Sequence, residues 1–320
     1  MNARSSTVVA DDLVKTYPGN VRAVRGISFD VRAGEAFGLL GPNGAGKTTT
    51  IGMLTSTVAP TSGRATLAGI DVAADPIRTR RLSSVVFQDA VVDQPLSGRQ
   101  NLQLHMRLWG VEPAIGQVRL ANLAVTVGID DLLDRAVATY SGGQRRRLEI
   151  IRALLSAPEV LFLDEPTVGL DTRVRHDLFD VIGTLRERTG VTIIMTTHYM
   201  DEAERMCDRV AIIDKGAIAA CDSPSALLSA IGRDILELRV DDPHGAAGAL
   251  AASGVAPDDV VVIGQTVTAS LRDLSPSDAV RVVEDARIDV TATTTRPATL
   301  DDVYLRLTGE RIGTTVDWEG

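Results

Sequence analysis

The chain has 320 residues, 44% of them hydrophobic, so it can bury a full core and is long enough for two domains. Its net charge of −9 gives no overall basic surface, which argues against nucleic acid as a partner without excluding a local basic patch. Cys207 and Cys221 are too few for a disulfide framework or a metal cluster, and no apolar stretch suits a signal peptide or a membrane span, so we expect a cytoplasmic protein with reduced thiols.

The N-terminal segment alternates between apolar and polar residues. It runs over residues 8–31 and turns at residues 18–20, which read Pro-Gly-Asn. This pattern predicts an antiparallel flap beside the main sheet. Tyr17 lies in the flap, where its ring could stack on an adenine base.

A glycine-rich loop follows the predicted buried strand 36–40. Ile51, Leu54 and Val58 keep helical spacing after it, which is the context that a phosphate-binding loop requires. Small residues let backbone N–H groups surround an anion, Lys47 can reach the β- and γ-phosphates, and Thr48 can bind magnesium. The pattern predicts a nucleoside triphosphate site rather than a glycine-rich turn with a surface lysine. The loop consists of Gly41, Pro42, Asn43, Gly44, Ala45, Gly46, Lys47, Thr48 and Thr49.

Continuous apolar runs recur after this loop and predict strands of a parallel sheet that is covered on both faces. They are residues 84–87, 160–163, 191–196 and 210–214. A mostly helical stretch interrupts them and predicts an inserted helical lobe over about residues 90–150. Its expected core consists of Leu102, Met106, Leu123, Val127, Leu132 and Leu133.

Polar residues stand where several of these elements begin or end. Asp164 and Glu165 end one apolar strand, and because adjacent residues point apart, Asp164 can reach a metal while Glu165 faces a water. A helix that begins after Tyr140 offers a second N-terminus suited to an anion. Any one such residue is more often a capped or solvated group than a catalyst, but the joint order favours a site. The remaining members are Gln88, Ser141, Gly142, Gly143, Gln144, Asp171 and His198.

The last part of the chain predicts a smaller α+β domain. Its pattern is that of a split βαβ, ferredoxin-like unit, in which Ser275 and Pro276 open the second helix. A plain dimerisation or packing extension is the alternative. We therefore expect domains at residues 1–229 and 230–320. The predicted strands are 235–240, 260–263, 266–271 and 288–292, and the predicted helices are 245–252 and 276–286.

Over residues 8–220 the order of motifs resembles that of the ATP-binding subunit of ABC (ATP-binding-cassette) transporters. The resemblance implies an α/β P-loop NTPase fold, a mixed parallel sheet with an antiparallel flap and an inserted helical lobe. It implies ATP and Mg²⁺ as ligands, with the metal held by Thr48, Gln88 and Asp164. By the same resemblance the motifs are the Walker A loop 41–49, the Q-loop residue Gln88, the signature 141–144, the Walker B acids Asp164 and Glu165, the D-loop residue Asp171, the switch residue His198 and the adenine-stacking residue Tyr17. The implied catalytic residues are Glu165, His198, Gln88 and Lys47.

Residues 298–309, with 141–149 and 200–204, are similar to the daunorubicin/doxorubicin-resistance group of exporter ATPases. This implies an ATPase that powers a separate membrane-spanning exporter of drugs or other hydrophobic compounds. The implied partners are an integral membrane permease and a second ATP-binding subunit, with no nucleic acid, at the inner face of the cell membrane. Two positions depart from the family: Tyr140 stands where leucine is usual, and Gln100 stands where glutamate is expected, which puts in doubt any ion pair normally made there.

The sequence disfavours other functions. A soluble ABC ATPase that acts on ribosomes or DNA usually carries two cassettes or a long coiled-coil insertion, and neither pattern is present. A non-hydrolysing regulator is disfavoured because Glu165 is present. The arginines at 145–147 could bind phosphate lipids or RNA, but on a helix they favour a solvated, ion-paired face.

Overall fold

The computed structural model describes residues 6–232, 234–272 and 274–309. They divide into two compact units, the first with residues 6–198 and 205–218, the second with 199–204 and the described residues from 219 onward. The strands are β1 (Ser6–Tyr17), β2 (Val21–Arg32), β3 (Ala36–Leu40), β4 (Ser62–Leu67), β5 (Ile70–Asp71), β6 (Ser83–Val86), β7 (Val160–Asp164), β8 (Thr192–Thr197), β9 (Arg209–Asp214), β10 (Ala217–Asp222), β11 (Asp234–Val240), β12 (Val260–Ile263), β13 (Thr266–Leu271) and β14 (Val290–Pro297).

The helices alternate with these strands through most of the chain. They are α1 (Lys47–Leu54), α2 (Pro76–Leu82), α3 (Gly98–Leu108), α4 (Pro113–Val127), α5 (Gly142–Leu154), α6 (Thr172–Thr189), α7 (Met200–Met206), α8 (Pro224–Ile231), α9 (Pro243–Ala252), α10 (Pro276–Asp285) and α11 (Leu300–Thr308). Short 3-10 turns lie at Asp130–Leu132, Val137–Thr139 and Pro257–Asp259. Helix α1 is shorter than its apolar spacing suggested, because Ser56 adopts a left-handed φ of 59° and Val58 lies beyond its end.

The predicted antiparallel flap is confirmed. Its strand order is β2-β1-β4-β5, and β1 pairs with β2 and β4 in antiparallel register. The alternation of the sequence is the reason, since Ile27, Phe29 and Val31 of β2 are buried while Ser28 and Arg32 between and after them are exposed.

A parallel sheet with the order β9-β3-β8-β7-β6 forms the centre of the first unit, and β10 follows β9. Pairs β3·β8, β3·β9, β7·β8 and β6·β7 are all parallel. Residues of β3, β7 and β8 are buried throughout, as expected for a sheet covered on both faces. Because the carboxyl ends of parallel strands share one edge, the loops after β3, β6, β7 and β8 meet there.

The inserted lobe is also confirmed as helical, built on α3, α4 and α5. All six residues expected in its core are buried. Helices α3 and α5 both begin with a capping box, Ser97 with Gln100 and Ser141 with Gln144. Gln100 therefore caps its own helix.

The described residues from 234 to 297 form a second sheet with the order β12-β13-β11-β14, in which all neighbours are antiparallel. That is the order of a split βαβ, ferredoxin-like unit, in which β13 separates β11 from β12. Its core includes Leu236, Leu238, Leu250 and Val283. Ser275 caps α10, and Pro276 is its first residue. Among the described residues, no helix combines the length and apolarity that a bilayer span needs.

Candidate nucleotide site

A cavity of about 380 Å³ opens at the edge where the parallel strands end. This volume falls in the range of small-molecule sites. Residues from the flap, the glycine-rich loop and the loops after β6 and β7 line it together. They are Tyr17, Val21, Ala23, Pro42, Asn43, Gly44, Gly46, Lys47, Thr48, Thr49, Gln88 and Glu165.

The glycine-rich loop needs glycine at two of its positions. A Cβ on Gly41 would lie 2.2 Å from the carbonyl oxygen of Ile213, and Gly46 has a φ of +104° with the carbonyl oxygen of Ala23 2.5 Å from its Cβ position. Gly46 also precedes α1 without any side-chain cap. The first N–H groups of α1 are therefore directed at the cavity mouth without a capping side chain, an arrangement that suits an anion.

Lys47 lies buried beneath this loop, with 4% of its surface exposed. Its Nζ donates to the carbonyl oxygens of Gly41 at 2.7 Å and Pro42 at 3.1 Å, and lies 3.1 Å from Glu165 Oε1. Burial lowers the pKa of Lys47, while the charge of Glu165 acts in the opposite direction. The ammonium is thus held by three oxygens at the floor of the cavity.

The two acids that end β7 diverge as expected. Asp164 Oδ1 accepts hydrogen bonds from Thr196 Oγ1 at 2.6 Å and from Thr48 Oγ1 at 3.3 Å. Glu165 Oε2 instead lies 3.3 Å from His198 Nδ1. Asp164 therefore faces the hydroxyl of Thr48 in α1, and Glu165 lies between Lys47 and His198.

Gln88 and Tyr17 reach the cavity from opposite elements. Gln88 follows β6 and is exposed, so its side chain is free to turn toward the carboxylates. Tyr17 is 37% exposed, its hydroxyl lies 3.5 Å from Thr49 Oγ1, and Lys15 Nζ lies 5.1 Å from its ring centroid.

Two motifs lie apart from this cavity. The described residues that line the cavity include neither Asp171 nor any residue of the segment 141–144. Ser141 and Gln144 bond to each other's backbone N–H groups at the start of α5, and Asp171 Oδ1 caps α6 through the N–H of Val174 at 3.0 Å. One chain therefore assembles the phosphate-binding part of the predicted site without these two motifs.

Comparison with known proteins gives the family. Residues 24–168 match the family model described as ABC transporter. The daunorubicin/doxorubicin resistance ATP-binding protein DrrA of Streptomyces peucetius is 38% identical over 314 residues, 97% of this chain and 94% of that protein. This chain belongs to the ABC transporter family.

One further sequence relative covers a similar length, and a solved structure covers 70% of this chain. The Nod factor export ATP-binding protein I of Burkholderia orbicola is 38% identical over 92% of this chain and 94% of its own length. The solved structure of cbiO1 from Clostridium perfringens, part of the ABC transporter complex cbiONQ, has a TM-score of 0.66 and 26% identity over 70% of this chain and 91% of that chain. As an ABC ATPase, the chain binds ATP and hydrolyses it.

The prediction that arginines 145–147 form a solvated face is wrong for Arg146, because only 6% of its surface is exposed. Arg146 shares a helical face with the buried residues Gly143, Ile150 and Ala153, and this spacing was the signal that could have placed it inside. Arg145 and Arg147 are half-buried and donate to the carbonyl oxygens of Tyr140 and Val127.

Thr196 is a second residue that the sequence analysis missed. Its hydroxyl donates to Asp164 and accepts the backbone N–H of Glu165 at 2.9 Å, so it orients both acids. A pair of threonines at the end of the apolar strand β8 was the available signal.

Proposed function

We propose that this chain is the ATP-hydrolysing subunit that powers a separate membrane-spanning exporter of drugs, antibiotics or other hydrophobic compounds. The observation that carries the ATPase part is the meeting of Lys47, Asp164, Glu165 and His198 at one sheet edge, beside the start of α1, which has no side-chain cap. The export part is supported by relatives named for drug resistance and Nod factor export that match nearly the whole chain.

In the proposed mechanism, Lys47 and the N–H groups at the start of α1 bind the β- and γ-phosphates of ATP and stabilise negative charge as the terminal bond breaks. Glu165 polarises the attacking water, and His198 Nδ1, 3.3 Å from its Oε2, orients that carboxylate beside the γ-phosphate. Tyr17 stacks on the adenine.

The residues present fit a magnesium ion. The hydroxyl of Thr48 and the carboxylate of Asp164 already converge, and hard oxygen donors are those that Mg²⁺ prefers. Thr48, Asp164 and the amide oxygen of Gln88 would hold it. Bound there, it would neutralise charge on the β- and γ-phosphates.

We propose that the site is completed by a second copy of the cassette. Each chain carries one glycine-rich loop and one signature, and the signature residues 141–144 and Asp171 do not line the cavity of their own chain. In a pair of facing cassettes, each α5 N-terminus would supply N–H groups and the Ser141 hydroxyl to the nucleotide bound by the other.

The proposed location is the inner face of the cell membrane, held there by an integral membrane subunit, with no nucleic acid as a partner. The test is to isolate the full chain from membranes of its own cells and to identify what co-purifies after nuclease treatment. We expect an integral membrane protein with several apolar spans. Recovery with ribosomes or DNA, and from the membrane-free fraction only, would favour the soluble ABC ATPase instead.

The control for this experiment is the Glu165→Gln variant with ATP. If the chain serves a membrane subunit, the variant should remain in the same complex and fail to support efflux from vesicles. Efflux by the variant at the wild-type rate would contradict the proposal.

A further inference from the structure

Arg146 and Glu149 form a buried ion pair on α5 that the proposed mechanism does not use. They are 6% and 1% exposed, and Arg146 Nη1 lies 3.1 Å from Glu149 Oε2. Burial lowers the pKa of Arg146 and raises that of Glu149, while the attraction between them opposes both shifts. Burying two charges costs free energy, which their attraction repays only when further hydrogen bonds satisfy the remaining donors and acceptors.

What this pair holds is backbone from two different loops. Arg146 donates to the carbonyl oxygens of Phe87 and of Gln88, the latter at 3.2 Å, on the loop after β6. It also donates to those of Glu165 at 3.3 Å and Pro166 at 2.7 Å, after β7. All three guanidinium nitrogens are thereby engaged.

Glu149 adds a contact of its own to the first loop. Its Oε1 accepts the backbone N–H of Val91 at 2.7 Å, while its Oε2 pairs with Arg146. The loop from residue 87 to residue 91 is therefore bound at both ends by one helical turn of α5.

The second loop contains Glu165. Among the described non-glycine residues that line the nucleotide cavity, Glu165 is the one with a left-handed backbone. Glu165 has a left-handed φ of 44°, which a non-glycine residue keeps only when its surroundings impose it. Thr196 holds the N–H of Glu165, and Arg146 holds the carbonyl oxygens of Glu165 and Pro166. The direction of the Glu165 carboxylate thus depends on Arg146.

We propose that Arg146 is a positioning residue for ATP hydrolysis, with Glu149 as its counter-charge, and that it fixes Glu165 and Gln88 relative to each other. This inference rests on the proposed roles of those two residues. Because Arg146 lies two residues after Gln144 on the same helix, a movement of α5 by a second cassette would shift both loops together.

The test compares variants of the full chain in ATP hydrolysis and thermal unfolding. Arg146→Met together with Glu149→Met removes both charges, which leaves no unpaired buried ion. Arg146→Lys keeps the charge opposite Glu149 but cannot reach four carbonyl oxygens. We expect both proteins to melt near the wild-type temperature and to lose about 100-fold in kcat, as for a displaced catalytic group, with KM for ATP changed less than about threefold.

Arg147→Met is the matched control, because Arg147 lies on the same helix and its guanidinium donates to the carbonyl oxygen of Val127 in the helical lobe. It should keep the wild-type kcat. The inference is overturned if either Arg146 variant hydrolyses ATP at the wild-type rate, or if kcat falls only in proportion to a lowered melting temperature.

A second readout does not require turnover. Amide hydrogen exchange at Val91 should accelerate in the double methionine variant, because the Glu149 carboxylate that accepts its N–H is gone. In Arg146→Lys with ATP bound, the peptides spanning residues 87–91 and 165–168 should also exchange faster than in the wild type. Exchange that is unchanged in both variants would overturn the inference. If the wild-type chain and Arg147→Met failed to hydrolyse ATP, the proposed function would fail, and the exchange result would still decide the role of Arg146.

Discussion

At the scale of single residues, Glu165 combines a strained backbone with a buried carboxylate that lies between the side chains of Lys47 and His198. Lys47 Nζ lies 3.1 Å from one of its oxygens and His198 Nδ1 lies 3.3 Å from the other. Preorganised groups of this kind stabilise charge without having to rearrange during the reaction. The same contacts mean that a phosphate entering the cavity must share Lys47 with Glu165.

Replacing Glu165 by Gln should leave ATP binding intact and lower kcat by at least about 100-fold, because the amide cannot polarise the attacking water. The measurement is steady-state ATPase activity together with equilibrium nucleotide binding. Glu159→Gln is the control, because Glu159 is exposed and immediately precedes β7, whereas Glu165 immediately follows it. Unchanged turnover in Glu165→Gln would exclude the role assigned to that residue.

His105 is a buried histidine with no part in the proposed reaction. It stacks on Trp109 with ring centroids 4.8 Å apart and shares a small cavity with Arg80 and Arg152. Burial, and next the charge of Arg152, lower its pKa from 6.5 to about 4. Between pH 6.5 and about 4, the unfolded chain binds a proton at this histidine that the folded chain does not bind. The free energy of unfolding is therefore unaffected by His105 above pH 6.5 and decreases as the pH falls toward about 4.

The His105→Gln variant should therefore lose less stability than the wild type between pH 6.5 and 4, by up to about 3 kcal/mol. Denaturant unfolding can be followed by Trp109 fluorescence with Trp318, outside the described residues, replaced by Phe. His244→Gln serves as the control because His244 is exposed. Identical pH profiles for wild type and His105→Gln would contradict this explanation.

At the scale of elements, the edge of the parallel sheet explains why residues distant in sequence form one site. Strands β3, β6, β7 and β8 all point the same way, so the loops that follow them converge. Helices α3 and α5 show a second rule, since both begin with the sequence Ser-x-x-Gln and the same reciprocal cap. Only the cap of α5 belongs to the signature.

Comparing the caps of α3 and α5 separates an effect on protein stability from an effect on ATP hydrolysis. Ser97→Ala and Ser141→Ala should each destabilise the protein by about 1 kcal/mol, because each removes one side-chain cap. Only Ser141→Ala should also lower ATPase activity, by about tenfold or more, if its hydroxyl reaches the nucleotide of a second cassette. Equal activities in the two variants would argue against the composite site.

At the scale of the whole molecule, the proposed composite site divides its residues between two parts of one chain. None of the described residues that line the cavity belongs to the signature or is Asp171, and both motifs lie at helix starts. A symmetric pair in which each surface meets its counterpart would complete both sites at once. Nucleotide would then act as part of the interface, since it would be bound by both chains.

The Glu165→Gln variant should therefore be a dimer in Mg²⁺-ATP and a monomer without nucleotide, as measured by light scattering or sedimentation. ATP that binds only the paired state shifts the equilibrium by mass action. Adding Ser141→Ala to the same variant should weaken the dimer, whereas adding Ser97→Ala should not. A dimer of equal strength in all conditions would contradict this assembly.

Much of the site followed from the sequence alone, because its chemistry is local. The loop from Gly41 to Thr49, the acids after β7 and the apolar strands are each determined by residue type and short spacing, as is the cap at Ser275. The tertiary structure decided which distant groups share a neighbour. Thr196 orients both acids and Arg146 is buried against four carbonyl oxygens, because strand order and helix docking bring β7, β8 and α5 together. Helical spacing could have placed Arg146 in the interior, but it carries no record of which distant carbonyl oxygens the guanidinium contacts, because those contacts depend on how α5 docks against the loops after β6 and β7.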